Sequence, residues 1–460
     1  MAIYQNNGGF VPERVNTAPF IAPSEGAAET RHRMPDGWQG EIDDFFYYEC
    51  EESYYEFDRY DHPYYDFCDT YYEFGEAPFD HCHWTGAEWK DVSWQFRDQG
   101  TARPASKAMQ SEALRVVHVG PHLVRGGAEQ WLIDLARAVD PAEVAIVRHV
   151  ALNPRYVDRE YVADLMDCGI MVEAGGAESL ANAARDADVL LSWGVELDRY
   201  LQRRPKALSV QVVHGDGHWN RHFLERSRHG IDHAVAVSHR VHRRICYDVP
   251  STVIYNGIDL ERLGRKSSRE AMRARLGLQE GDFLVGFFGR LAPEKRTATI
   301  LQAVATLSES VKVLLVGKGP LEGELREMGQ ALLPGRAHFT TANGNIGDLY
   351  DAVDAVCLAS NQEGFPLVML EAMLSERPVL STPVGSACEV IDDRITGLLH
   401  DGSSADLAAA INLLFRYPAW RLALAAEGRR RAEQFGHAAR MARDYTHLLK
   451  TLTAEHRRPS

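Results

Sequence analysis

The chain has 460 residues, 45% hydrophobic and 25% charged, an ordinary globular composition with apolar material for more than one core. Its formal charge is −15, and residues 1–110, with 21 acids against 8 lysines and arginines, hold −13 of it. The rest is close to neutral, which argues against a general polyanion binder and against a nucleic-acid partner.

At the N-terminus, MAIYQNNGGFVPER has no basic segment ahead of an apolar one, so no secretory signal is expected. No window approaches the ~18 apolar residues of a membrane-spanning helix. Seven cysteines (Cys50, Cys68, Cys82, Cys168, Cys246, Cys357 and Cys388) are odd in number and scattered, which suits reduced thiols in the cytoplasm. Residues 41–80 hold 15 aromatics and 14 acids with almost no aliphatic side chain. Three readings of this stretch stay open: a partly ordered appendage, a small accessory domain that packs on the rest or pairs two subunits into a homo-oligomer, and a zinc site. The last would draw on Cys50, His62, Cys68, His81, Cys82 and His83, without a CxxC pair to support it. The polar stretch RDQGTARPASKAMQSE then reads as a linker.

From Leu114 the pattern changes. LRVVHVG is a short β-branched run, as expected for a strand buried on both faces of a parallel sheet, and GGAEQWLIDLARAV follows at helical spacing. Strand-like runs recur at VAIVRHVAL, DVLLSW, LSVQVVHG, HAVAVS and STVIYN, ending near YNGIDLERL. A second alternating series runs through FLVGFFG, KVLLVG, AHFTT, DAVCLAS, PVLSTP and GLLH, then long Arg/Ala-rich helices. The pattern predicts an α/β protein of two Rossmann-like, doubly wound halves facing a cleft. The expected divisions are 1–110 as extension and linker, 111–262 and 263–430 as the halves, and 431–460 as a helix packing back on the first half.

Four strand-to-helix junctions carry chemistry. Gly126-Gly127 precedes a helix whose free N–H groups suit an anion, although any tight loop can use Gly-Gly. Arg290 and Lys295, five residues apart after FLVGFF, can converge on a diphosphate or be a solvated surface pair. Gly317-Lys318-Gly319 reads as a turn. In EGFPLVMLE, Pro366 suits a first helical turn, with the N–H groups of Phe365, Leu367 and Val368 available to an anion beside Gly364. Glu363 lies in the loop and Glu371 about two turns on; Phe365 to Glu371 spans roughly 9 Å, comparable to the reach of a nucleoside diphosphate from sugar to ribose. The plainer alternative is a helix cap and one further acid.

Taken together, GGAEQWLIDLA, VIYNGID, FFGRLAPEK, LLVGKGPLEGEL and EGFPLVMLEAM…PVLSTPVGSACEVI…TGLLH resemble the retaining GT-B glycosyltransferases of glycosyltransferase family 4. The resemblance runs from about Leu114 to the C-terminus. It implies transfer of a hexosyl or N-acetylhexosaminyl group from a nucleotide-diphosphate sugar, with retention, to a glycan, lipid-linked saccharide or small molecule, as in polysaccharide biosynthesis. It implies Glu363, His214, Arg290 and Lys295 as the catalytic set. Gly126, Gly127, Arg290, Lys295, Gly364, Phe365, Leu367, Val368 and Glu371 are the donor-binding set, with Glu363 near the sugar and Glu371 on the ribose. It implies neither a metal ion nor a cofactor besides the sugar-nucleotide co-substrate. A GT-B epimerase and a non-catalytic glycan or sugar-nucleotide binder are the rival readings.

The sequence departs from the family pattern at Arg296, where glycine is common, at Ser386 and Cys388, which replace Gly and Pro, and at Trp193, which replaces a histidine. Residues 199–244 are rich in Arg and His. This stretch reads either as contact with an anionic acceptor or the inner membrane face, or as two solvated helix faces. The tyrosines of 41–80 suit stacking on sugar rings.

Overall fold

The computed structural model describes residues 113–458, apart from 153, 155, 156, 202, 228, 229, 247 and 343–345. The readings offered for 41–80 and for the Cys50–His83 set lie outside the described residues.

Two parallel sheets organise the described chain. The first contains β1 (Leu114–Gly120), β2 (Val144–Leu152), β3 (Met171–Gly175), β4 (Val189–Ser192), β5 (Leu208–Val213), β6 (His233–Ala236) and β7 (Ser251–Val253) in the order β3-β2-β1-β4-β5-β6-β7. The second contains β8 (Phe283–Phe288), β9 (Val311–Val316), β10 (Ala337–Thr340), β11 (Ala355–Leu358), β12 (Val379–Ser381) and β13 (Leu398–Leu399) in the order β10-β9-β8-β11-β12-β13. Every pairing between neighbouring strands is parallel. The inner strands are apolar along their whole length because helices cover both faces, so β4, β5 and β8 are buried throughout. In each sheet the order reverses beside the first strand, between β1 and β4 and between β8 and β11. Loops splay apart at such a reversal and leave room for a ligand beyond the strand C-termini.

Seven helices position the site: α1 (Gly127–Ala138), α2 (His239–Ile245), α3 (Thr297–Ala305), α4 (Ile346–Ala352), α5 (Leu367–Leu374), α6 (Pro418–Phe435) and α7 (Ala438–His456). The chain leaves the first lobe after β7 and returns between α6 and α7. α7 lies against α1 and β5, with Tyr445 packed on Trp131 at 5.6 Å between ring centroids. One apolar cluster runs continuously from the first sheet through Ile258, Met441 and Tyr445 to Leu367, Met369 and Leu370 of α5. The lobes therefore share a core where the chain crosses between them.

The two crossing strands of chain are bonded to each other. The N–H of Ile258 donates to the carbonyl of Gly436 at 2.8 Å, and that of Ala438 to the carbonyl of Ile258 at 3.0 Å. Gly257 makes this approach possible, since a Cβ there would stand 2.4 Å from the carbonyl oxygen of His437 and 2.8 Å from the nitrogen of Ala438. Neither neighbour is a flexible side-chain end, so Gly257→Ala must push the crossings apart. We expect a loss of about 1–3 kcal/mol and a lower melting temperature; calorimetry showing an unchanged melt would disprove the constraint.

Candidate active site

The second-lobe wall is built from loops held to one another by backbone contact. A Cβ at Gly317 would sit 1.9 Å from the carbonyl oxygen of Gly289, and one at Gly319 would sit 2.3 Å from that of Leu291. The Leu291 N–H donates to the Lys318 carbonyl at 2.9 Å. The Gly317–Gly319 turn thus braces the loop that carries Arg290 and Lys295. Lys295 ends a short 3₁₀ turn, Pro293–Lys295, and its Nζ lies 2.6 Å from Oε1 of Glu363. Ser360 Oγ donates to the same oxygen at 2.7 Å. Arg290 extends its guanidinium to Glu294 at 2.7 Å and is mostly exposed. Both cations expected to converge on a diphosphate are therefore tied to carboxylates in this state.

Arg296, the departure from glycine, has φ 48° and ψ 38°, the left-handed conformation that costs a side-chain-bearing residue about 1 kcal/mol. Its guanidinium donates to the Gly402 carbonyl at 2.8 Å, which offsets part of that cost. The backbone geometry thus supplies the physical reason for glycine at this position.

Pro366 stands immediately before α5 with an extended ψ of 109°, one position earlier than a first-turn proline, and the Met369 N–H turns back to its carbonyl at 3.1 Å. The helix then opens with the N–H groups of Leu367 and Val368 at its positive end. Glu371 is buried in α5. The Tyr350 hydroxyl donates to its Oε2 at 2.5 Å, and Arg262 pairs with its Oε1.

Opposite, Gly126 caps α1 with its own carboxyl neighbour beneath it: a Cβ there would meet Glu129 Oε2 at 2.7 Å. Gly127 has nothing within 4 Å of its Cβ position, so this face of the turn is open. Burial pushes the Glu129 carboxyl up to about 8, against the pull of backbone N–H groups and of Arg290 from the other lobe. His122 Nδ1 lies 3.4 Å from Glu129 Oε1, and burial, reinforced by Arg290, holds that imidazole down to about 4. His214 packs against the Trp131 and Trp193 rings at 4.9 and 5.8 Å between centroids. Burial lowers it to about 3, and its Nε2 has no hydrogen-bond partner among the described residues. At neutral pH this wall is uncharged and aromatic.

The lobes meet through backbone. Gly215 and Gly364 form an antiparallel bridge, and a Cβ at Gly364 would fall 1.9 Å from the His214 carbonyl oxygen. His214 and Glu363 are thereby brought together from opposite lobes. Ser386 supports the contact, its N–H donating to the Gly364 carbonyl at 2.9 Å. Trp193, at the end of β4, meets the edges of His122 and His214.

Several contributors were not foreseen. Arg262 and Tyr350 hold Glu371, Ser360 orients Glu363, and Glu129 with His122 underlies the α1 turn. Glu389 clasps the lobes together: its Oε1 accepts from the Arg240 N–H at 2.7 Å, and its Oε2 from the His239 N–H at 3.0 Å and the Tyr255 hydroxyl at 2.8 Å. Only Glu389 had a signal, as the acid of the segment SACEV. The basic stretch 199–244 is largely neutralised: Arg204 pairs with Asp232, Arg221 with Asp248, Arg226 with Glu196, and Arg240 and Arg244 with Asp216. Among the described residues no helix is long and apolar enough to cross a membrane, and no three His, Cys, Asp or Glu side chains are grouped to hold a metal ion.

Two Rossmann-like lobes with facing strand ends, joined by a double crossing, make this a GT-B protein. Residues 268–431 match the family described as glycosyl transferases group 1. It is 36% identical over 197 residues to a D-inositol 3-phosphate glycosyltransferase of Rhodococcus opacus, covering 40% of this chain and 44% of that protein. The chain thus spans less than half the length of the first curated relatives it matches. A putative teichuronic acid biosynthesis glycosyltransferase, TuaC of Bacillus subtilis, is 26% identical over 302 residues, 64% of this chain and 72% of the relative. Among solved structures, Anabaena HepE in complex with UDP-glucose superposes with a TM-score of 0.65 at 21% identity, covering 74% of this chain and all of HepE. Sucrose-phosphate synthase from Thermosynechococcus elongatus has the same fold, with a TM-score of 0.60 at 18% identity, over 74% of this chain and 100% of that one.

Glu129 supplies a pH test. The folded protein keeps its proton up to about pH 8, whereas an unfolded chain releases it in the ordinary carboxyl range. Between those values the native state binds the extra proton, so this group lowers stability as pH rises. Glu129→Gln should remove that slope, read by urea unfolding at about pH 5 and about pH 8. A slope identical to that of the parent protein would show that Glu129 is ionised in the fold.

Proposed function

We propose that this protein transfers a sugar from a nucleotide-diphosphate sugar to a hydroxyl acceptor, with retention at the anomeric carbon. The observation that carries the reading is the Gly364 contact, which sets Glu363 and Lys295 of one lobe beside His214 of the other. Charge develops on the departing phosphate. The N–H groups opening α5, Lys295 and Arg290 are the groups that stabilise it. Lys295 spends one donor on Glu363 and has two more to offer. Glu363, oriented by Ser360 and Lys295, accepts hydrogen bonds from sugar hydroxyls. Glu371 is the receptor for the ribose diol, and Gly127 gives the phosphates close access to the α1 turn.

Retention follows when a phosphate oxygen takes the acceptor's proton on the face the leaving group vacates, so no side chain is needed as base. His214, held neutral, serves by hydrogen bonding rather than by charge. On the acceptor side, uncharged His122 and His214 with Trp193 suit a polyhydroxylated compound such as a glycan or lipid-linked saccharide. The transferred group is read as hexosyl or N-acetylhexosaminyl. HepE binds UDP-glucose, which puts uridine diphosphate sugars first among donors to try. Cys168, Cys246 and Cys357, free thiols among the described residues, favour the cytoplasm as the place of work.

A panel of nucleotide sugars screened by thermal shift should single out one donor, because a tight ligand raises apparent stability by mass action. With that donor, Lys295→Ala should lower kcat by roughly 10²–10³-fold while the protein still melts cooperatively. Wild-type turnover in Lys295→Ala and Glu363→Ala would remove the site assignment. A new epimer formed from donor alone would replace transfer by epimerisation.

A further inference from the structure

Glu371 is both the proposed ribose receptor and a closed one. Its side chain is only 6% exposed, with Tyr350 on Oε2 and Arg262 on Oε1. A ribose diol that engages both oxygens requires one of these partners to yield. Tyr350 is held: it is fully buried in α4, and its ring stacks on Phe288 at 4.0 Å between centroids. Arg262 is not held in this way. It lies on the 3₁₀ turn Leu260–Leu263, none of whose residues is buried, in the segment that crosses between the lobes, and its Nε makes no hydrogen bond among the described residues.

A second acceptor waits beside it. Oδ2 of Asp134 stands 3.8 Å from Arg262 Nη1 and has no partner at hydrogen-bond distance among the described residues, while its Oδ1 accepts from Gln130 at 3.1 Å. Asp134 is wholly buried in α1, the helix that begins at Gly127. A buried carboxylate satisfied on one side gains from a guanidinium that can bond it squarely.

We propose that Arg262 is a positioning residue that occupies the ribose seat on Glu371 in the donor-free protein and passes to Asp134 when the ribose arrives. The inference rests on reading Glu371 as the ribose receptor. Arg262 exchanges one carboxylate for another, so its charge is not stranded, and Glu371 keeps the Tyr350 hydroxyl while the ribose hydroxyls replace the guanidinium. Because Asp134 belongs to the first lobe, the exchange fastens the crossing segment to α1 when the second lobe is occupied. Donor binding is thereby felt on the acceptor side. A static clamp of Arg262 on both acids would instead serve ribose-containing and ribose-lacking nucleotides alike.

The test is calorimetric titration of the full chain at about pH 7.5, where Asp134 is ionised although burial pushes its carboxyl up to about 6. The probes are UDP, GDP and ADP, each beside its 2′,3′-dideoxy counterpart; the reading is the ratio of dideoxy to ribo Kd for the tightest pair. Asp134→Asn touches no nucleotide, yet it should lower that ratio by roughly 3- to 10-fold, and the effect should vanish in an Arg262→Gln background. Arg262→Gln alone should raise the ratio above the wild-type value, because the competitor for Glu371 is gone. A ratio unmoved by Asp134→Asn, or not raised by Arg262→Gln, overturns the exchange. Should Asp134→Asn not fold, the Arg262→Gln outcome decides by itself. Glu371→Gln must lower the ratio; if it does not, the ribose reading has failed, which is distinct from failure of the exchange.

Discussion

The approach of two glycine backbones, Gly364 in one lobe and Gly215 in the other, is the constraint on which the site depends. No side chain fits between them, since a Cβ at Gly364 would overlap the His214 carbonyl. This contact fixes the distance between lobes at the floor of the cleft and therefore the spacing of Glu363 and His214. Glu389 sets a second point by gripping the start of α2, and the paired crossings at Ile258 and Ala438 set a third. The lobes are thus located by backbone and carboxylate contacts together with the apolar core they share where the chain crosses. Arrangements of this kind keep a site's geometry while leaving its side chains able to exchange partners.

The two walls solve their electrostatics in opposite ways. On the first lobe, Glu129, His122 and His214 are desolvated and neutral, so the wall presents hydrogen-bonding groups without charge. On the second lobe the acids are paired with cations, Glu363 with Lys295 and Glu371 with Arg262 of the crossing segment. Paired charges near a low-dielectric cleft are costly to strand and cheap to exchange. A ligand carrying phosphate and hydroxyl groups can replace one partner of each pair without isolating the other.

Much of this was legible in the chain. The β-branched runs of β1 and β8 announce buried parallel strands, because only a sheet covered on both faces tolerates such uniform apolarity. The glycines and Pro366 mark where strands turn into helices, and the EGFPLVMLE spacing places Glu363 and Glu371 two turns apart. The pairing of these groups was not legible. Lys295 and Glu363 are 68 positions apart, Arg262 and Glu371 are 109 apart, and His239 and Glu389 are 150 apart. Neither periodicity nor local spacing carries information over such separations.

Local sequence therefore determined the elements, their parallel sense and the loops at which ligand chemistry gathers, because hydrogen-bonding geometry and side-chain alternation act over a few residues. Tertiary structure alone decided which acid each cation meets, that Glu129 is buried and protonated, and that Glu371 is covered. Those properties arise where two lobes and a returning helix exclude water together. Desolvation is a property of the packed assembly and of no segment within it.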